Sequence, residues 1–301
     1  MGNGMKTDAK DVPCIVGIGE VLWDVFPDRS CFGGAPANFA AHAAALGAEA
    51  VMVGAVGDDA LGERAIEELN VRKVGVEFVA RPERPTGTVT VTLDSEGRAD
   101  YVFAADAAWD ALEWKPELEG LAARTDAVCF GTLGQRDARS CGVIQRFVAA
   151  TPEDCLRIFD VNLRQHFHND DVIEDSLFLA NVLKLNDEEI DIIDPLGRGA
   201  LQMDRLRALC ARHDLRLAAL TRGPKGALLV TPEETVDVPG GAVEVVDTVG
   251  AGDSFTAVLA QGLLEGASLS EIGRKACEVA AFVCGCAGAT PELPDRLRRP
   301  F

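Results

Sequence analysis

Positive charge is scarce in this chain. Its 301 residues carry 29 Lys and Arg against 48 Asp and Glu, a formal net charge of −19. A surface of that sign repels nucleic acid and anionic membranes, so neither is expected as a partner. Familiar cofactor signatures are missing too. No GxxxxGK[ST] loop occurs, and Gly17-x-Gly19 is only a fragment of a GxGxxG fingerprint. These absences argue against a P-loop enzyme and against an NAD-dependent oxidoreductase. The nine cysteines include no CxxC pair and sit mostly inside apolar runs, which points to reduced, buried thiols of a cytoplasmic protein. Histidine occurs four times, and His166 and His168 could pair on a metal only along an extended stretch. No apolar run reaches the length of a membrane span. Met1 to Pro13 lacks the apolar segment of a signal peptide, and Lys6 stands where a myristoylation motif wants Ser or Thr.

What is present reads as alternating strands and helices. Hydrophobic residues make up 48% of the chain, ample for a core. Strands are expected at Cys14 to Val21, Ala50 to Val56, Ala127 to Thr132, Leu156 to Val161, Val182 to Leu185 and Leu215 to Thr221. Helical periodicity fills the gaps: Ala37 to Leu46, Asp58 to Leu69, Asp137 to Ala150, Asp170 to Ala180, Asp187 to Ile193 and Gly199 to His213. This alternation predicts an α/β fold with a mainly parallel sheet covered on both faces. Ala227 to Val230, Thr235 to Val238 and Val243 to Val246 read as an antiparallel tail, before helices at Asp253 to Leu264 and Ser270 to Ala287. Thr86 to Leu93 and Ala99 to Ala104 flank Asp94-Ser95-Glu96-Gly97, a hairpin that interrupts the alternation and predicts a separate small sheet. Trp23 and Trp109 fall in or beside it, to stack on a sugar or to pack in the core.

Polar residues gather after the expected strands, where parallel sheets bind ligands. The strongest cluster is Asp247-Thr248-Val249-Gly250-Ala251-Gly252-Asp253. Its glycines let backbone N–H groups approach an anion, the following helix start favours negative charge, and Asp253 could take a proton beside it. A capped helix preceded by a turn would read the same way. Gly33-Gly34-Ala35-Pro36-Ala37-Asn38 offers a close-fitting floor for a polyol, or merely a turn and a helix start. Asn186 and Glu189 have the spacing of a capping box and of a water-mediated hold on Mg²⁺. Thr221 to Gly226 is a tight turn that could form a ledge for a nucleotide.

Taken together, these pieces resemble the ribokinase-like, or PfkB, carbohydrate kinases. Gly33 to Asn38 continuing to Gly54-Ala-Val-Gly-Asp-Asp59, and Asp247 to Gly250-Ala-Gly-Asp253, match the family's two signatures, with Asn186-x-x-Glu189 and Thr221-x-Gly223-x-x-Gly226 between them. The resemblance spans Ile15 to Pro294. It implies a single domain over residues 1–301, a three-layer αβα sandwich carrying a β-sheet lid from about 21–33 and 84–106. It further implies that Asp253 is the catalytic base, with the N–H groups of Gly250, Ala251, Gly252 and Asp253 as the anion hole. Asp24, Gly33, Gly34, Asn38, Asp106, Asn162 and Arg164 would meet the sugar. Asn186, Thr221, Gly223 and Gly226 would meet ATP, Asn186 and Glu189 would hold Mg²⁺ through water, and Asp247 and Thr248 would border a monovalent cation such as K⁺. Gly19-Glu-Val-Leu-Trp-Asp24 and Phe159-Asp-Val-Asn-Leu-Arg164 look most like fructokinases. The expectation is therefore phosphorylation of D-fructose by a cytoplasmic homodimer joined through its lids. A 2-keto-3-deoxygluconate kinase, a ribokinase or nucleoside kinase, and a non-catalytic sugar or nucleotide sensor are the alternatives.

Overall fold

The computed structural model describes residues 12–93 and 99–301. The readings of the N-terminal residues 1–11 and of the turn at 94–97 lie outside them. Among the described residues thirteen strands are seen: β1 (Cys14–Ile18), β2 (Leu22–Val25), β3 (Ser30–Gly33), β4 (Glu49–Ala55), β5 (Gly75–Ala80), β6 (Gly87–Leu93), β7 (Ala99–Phe103), β8 (Ala127–Phe130), β9 (Leu156–Asp160), β10 (Val182–Asn186), β11 (Leu217–Thr221), β12 (Ala227–Val230) and β13 (Thr235–Val238). The α-helices are α1 (Ala35–Ala45), α2 (Ala60–Val71), α3 (Glu117–Ala122), α4 (Ala138–Ala149), α5 (Asp170–Leu179), α6 (Ile190–Ile193), α7 (Gln202–His213), α8 (Ala251–Glu265), α9 (Leu269–Cys284) and α10 (Asp295–Arg298).

The large sheet runs β13-β12-β11-β10-β9-β8-β1-β4-β5. It is parallel from β5 to β11, and β12 and β13 add antiparallel. Side chains alternate across it because successive Cβ atoms point to opposite faces. Ala127 and Cys129 join one apolar cluster, with α1, α8 and α9, whereas Val128 and Phe130 join the other, with α4, α5 and α7. Both faces are thus dry, which gives the three layers. The smaller sheet runs β3-β2-β6-β7, parallel between β2 and β6 and antiparallel elsewhere. The order of the large sheet reverses at β1, which lies between β8 and β4. A reversal of this kind opens a crevice at the carboxyl ends of the strands.

Two readings need correction. Val243 to Val246 forms no strand: Pro239-Gly240-Gly241 breaks the chain after β13, and Val243, Val245 and Val246 are exposed. Strand β5 was missed because it lies at a sheet edge, half-buried, with a register shift against β4. Trp23 and Trp109 are both core residues. Trp23 is buried and donates its Nε1–H to Leu61 O at 3.0 Å, and Trp109 is buried with the Arg136 guanidinium 4.5 Å from its ring centre. Neither is open to stack on a ligand.

Candidate active site

The site is built where α8 begins. Gly250 caps the helix in the left-handed conformation, φ 79°, and a side chain there would overlap the Ala289 carbonyl. The chain turns sharply into α8, whose first-turn N–H groups have no acceptor inside the helix. Ala251 N makes only a long 3.4 Å contact to Thr248 O. A 15-residue helix adds its positive end at the same point.

Asp253 lies in this first turn, and its Oδ2 accepts a 2.8 Å hydrogen bond from Asn38 Nδ2. Burial pushes the Asp253 carboxyl up to about 6, and the nearby Asp160 charge pushes the same way. The Asn38 hydrogen bond and the positive charges of Lys184 and Arg164 act in the opposite direction. Asn38 comes from α1, whose alanines let it pack closely on the sheet; its Oδ1 is buried and free of any protein partner.

A buried ion pair adjoins this centre. Lys184 Nζ lies 2.9 Å from Asp160 Oδ1, and Thr256 Oγ1 donates to Asp160 Oδ2 at 2.8 Å. Lys184 and Asp160 are directly opposite in the β10–β9 register, 6% and 4% exposed. A Cβ on Gly252 would come 2.9 Å from Lys184 Nζ, so glycine here leaves the ammonium its place beside the turn without a shift. Glu20 is a second buried acid. Its Oε1 accepts from Ala35 N at 3.2 Å, and burial pushes the carboxyl up to about 7. Lys184 and Thr256 were missed in the sequence, and Glu20 and Asp160 stood only inside the stretches Gly19 to Asp24 and Phe159 to Arg164, with no role given to them. The available signal was a charge inside each of two apolar runs, Val182 to Leu185 and Ile158 to Val161.

The other expected site residues are distributed as follows. Asp24 on β2 is raised to about 6 by burial, with Arg164 opposing, and Gly33 leaves room for its carboxylate. Gly34 precedes α1 with φ 111°. Arg164 is exposed, but its charge acts on Asp24, Glu20 and Asp253 alike. Asn162 takes a positive φ of 43° after β9. Asp106 is exposed, and Arg84 lies 3.7 Å from it. Asn186 and Glu189 form a reciprocal capping box. Asn186 Oδ1 accepts from Glu189 N at 2.9 Å, Glu189 Oε2 from Asn186 N at 2.8 Å and Glu189 Oε1 from Leu163 N at 2.9 Å. Thr221 pairs with Asn186 across β11 and β10, so both stand at the carboxyl edge of the sheet. Gly223 and Gly226 follow in a tight turn, and Gly226 packs on the Val238–Gly240 backbone. Next to it opens a cavity of about 450 Å³ lined by Val238, Gly240, Val243, Cys277, Ala281 and Phe282. Asp247 Oδ1 accepts from Val249 N at 3.0 Å and its Oδ2 from Gly288 N at 3.3 Å. Among the described residues no group of three or more His, Cys, Asp or Glu is arranged to hold a metal, and His166 and His168 form no such site.

The family described as pfkB family carbohydrate kinase matches residues 25–296. The chain belongs to that family. This carbohydrate kinase is 30% identical over 309 residues to a protein of Pyrococcus horikoshii named as a sugar kinase, covering 94% of each chain. The structure of that protein in complex with ATP superimposes with a TM-score of 0.78 at 29% identity, over 92% of this chain and 94% of that one. A fructokinase of Klebsiella pneumoniae is 29% identical over 289 residues, 91% of this chain and 92% of that one. A fructokinase of Xylella fastidiosa with bound ATP has a TM-score of 0.81 at 23% identity, over 93% and 95%, a likeness of fold. The kinase fold read from the motifs is therefore the observed one. No helix among the described residues is long and apolar enough to cross a membrane.

Proposed function

We propose that this carbohydrate kinase transfers the γ-phosphoryl group of ATP to a hydroxyl of a neutral ketohexose, D-fructose at its 6-hydroxyl. The observation that carries the proposal is the Asn38–Asp253 hydrogen bond at the start of α8, which holds a carboxylate beside the backbone donors of the helix's first turn. Asp253 accepts the proton of the attacking hydroxyl. The N–H groups of Gly250, Ala251, Gly252 and Asp253 stabilise charge on the phosphoryl oxygens as they pass. Asn38 Oδ1, Asp24 and the Gly33–Gly34 floor orient the sugar. The turn at Thr221, Gly223 and Gly226 and its cavity receive the nucleotide. The smaller sheet acts as a lid that excludes water.

The residues fit a magnesium ion held through water. Both Glu189 oxygens are occupied by backbone N–H groups, and Mg²⁺ keeps several waters of its own. When bound with the nucleotide, the ion would neutralise negative charge on the phosphates. The Asp247 carboxylate has lone pairs left for a monovalent cation beside the hole.

Relatives named fructokinase support the sugar, as does the absence of a base at Tyr101 to Asp106. Arg164 favours a second reading. Its charge reaches Asp24 and Asp253, where it would meet the carboxylate of 2-keto-3-deoxygluconate. A coupled assay with fructose, ribose, ketodeoxygluconate and adenosine compares kcat/KM directly. Fructose is expected to lead by at least ~10-fold, the scale of a few polar contacts. A lead for ketodeoxygluconate assigns the role to Arg164, and no turnover with any sugar supports a sensor.

The lid strand β7 exposes Tyr101 and Val102. We propose that a second copy covers them, giving a homodimer through the lids. Light scattering at micromolar concentration is expected to give twice the 31.9 kDa chain mass, and a monomeric mass contradicts it.

A further inference from the structure

Helix α1 reads APANFAAHAAA. Its polar side chains, Asn38 and His42, are one turn apart and share a face. Both are buried, 2% and 1% exposed. Asn38 reaches Asp253, and His42 Nε2 lies 3.0 Å from Ala289 O. A carbonyl oxygen only accepts, so the imidazole carries its proton on Nε2. Burial pushes the ring down to about 4, and the ring stays neutral at physiological pH.

The Ala289 carbonyl is also the group against which Gly250 packs. The segment carrying it is tied at each of three consecutive residues. Gly288 N donates to Asp247 Oδ2, Ala289 O accepts from His42, and Arg72 Nε donates to Thr290 Oγ1 at 2.7 Å. Of these ties, the His42 one comes from the same helix that holds Asp253 through Asn38.

We propose that His42 is a positioning residue for phosphoryl transfer. It holds the Ala289 carbonyl against Gly250 and so keeps the N–H groups of the α8 start in register with Asp253. A carbonyl left without its donor beside an anion hole is unpaired, costs stability and repels the incoming phosphoryl group. A core-filling role for His42 would affect stability and nothing else. The kinetic part of the proposal rests on the kinase reading above; the structural part does not.

Two variants separate the accounts. His42→Leu removes the donor while keeping bulk, and His42→Gln keeps an N–H donor. Each is assayed well below its own Tm, with whichever sugar the native protein phosphorylates fastest. Amide hydrogen exchange is followed in the unliganded proteins. His42→Leu is expected to lower kcat ~10-fold or more, with the sugar KM within about twofold, since small misplacements at a reacting centre cost that much. Exchange is expected to speed up in residues 249–253 and 286–290, but not in 257–262. His42→Gln is expected to recover both. Native kcat in His42→Leu, or Gln behaving like Leu, overturns the proposal, as does unchanged exchange in both segments. Should the native protein phosphorylate no sugar, the function proposed above fails and the exchange experiment still decides the role of His42.

Discussion

Asp253→Asn is expected to lower kcat by at least ~10²-fold, the scale of lost general-base catalysis. The amide preserves shape and keeps an oxygen for Asn38, so the sugar KM is expected to move little. The native pH profile supplies a second signature. The Asp253 carboxyl is raised to about 6, chiefly by burial. A base must be ionised, so activity is present above that value and is lost as pH falls through about 6, well above the ordinary aspartate range. The variant retains no titrating group at this position, and its residual activity is expected to lack this acid limb. Steady-state kinetics from pH 5 to 8 check both statements. Near-native turnover in Asp253→Asn would remove Asp253 from the chemistry.

The second large effect is expected at Lys184. Replacing it by Met strands the Asp160 carboxylate in the core, where both side chains are almost fully excluded from water. Breaking a buried pair from one side costs roughly 3–5 kcal/mol, because the remaining charge has no compensation. That is a large share of a domain's net stability. Denaturant unfolding of Lys184→Met measures it, and the double variant Lys184→Met with Asp160→Asn is expected to regain much of the loss. The charge also acts on the base. Lys184 lowers the Asp253 pKa, so in any folded variant lacking it the acid limb of the activity profile is expected to shift to higher pH. If the single variant unfolds like the native chain, water reaches this pair.

Features encoded by neighbouring residues were legible in the sequence. The Gly250–Asp253 turn, the Gly33–Asn38 floor and the Asn186–Glu189 cap each lie within one short stretch, and each adopts the local geometry its residues favour. Features made between distant strands were not. Lys184 and Asp160 are separated by 24 residues and meet only because β10 pairs with β9 in one register. His42 looked like one histidine in an alanine helix, because its acceptor lies 247 residues away. Val243 to Val246 shows the converse. Its β-branched residues satisfy a strand pattern, yet β-propensity describes fitness for a half-buried sheet surface, and here the segment leaves the β13 edge and its Val246 and Asp247 N–H groups bond instead to Cys284 O at the end of α9. The cavity beside Gly226 was hidden for a related reason: its walls come from β13, the loop that follows it and α9.

The proposed base and its proposed N–H donors occupy consecutive residues at the start of one helix. At about 1.5 Å rise per residue, Gly250 and Asp253 lie within one helical pitch of each other, and the packing of Gly250 on the Ala289 carbonyl sets how the turn enters the helix. The helix thus acts as a ruler: their spacing is set before any sugar arrives. In this arrangement the proposed base and its neighbouring donors need no substrate to bring them together. A water molecule would meet the same spacing as a sugar hydroxyl, so the choice between them falls to the groups proposed to orient the sugar and to the proposed lid.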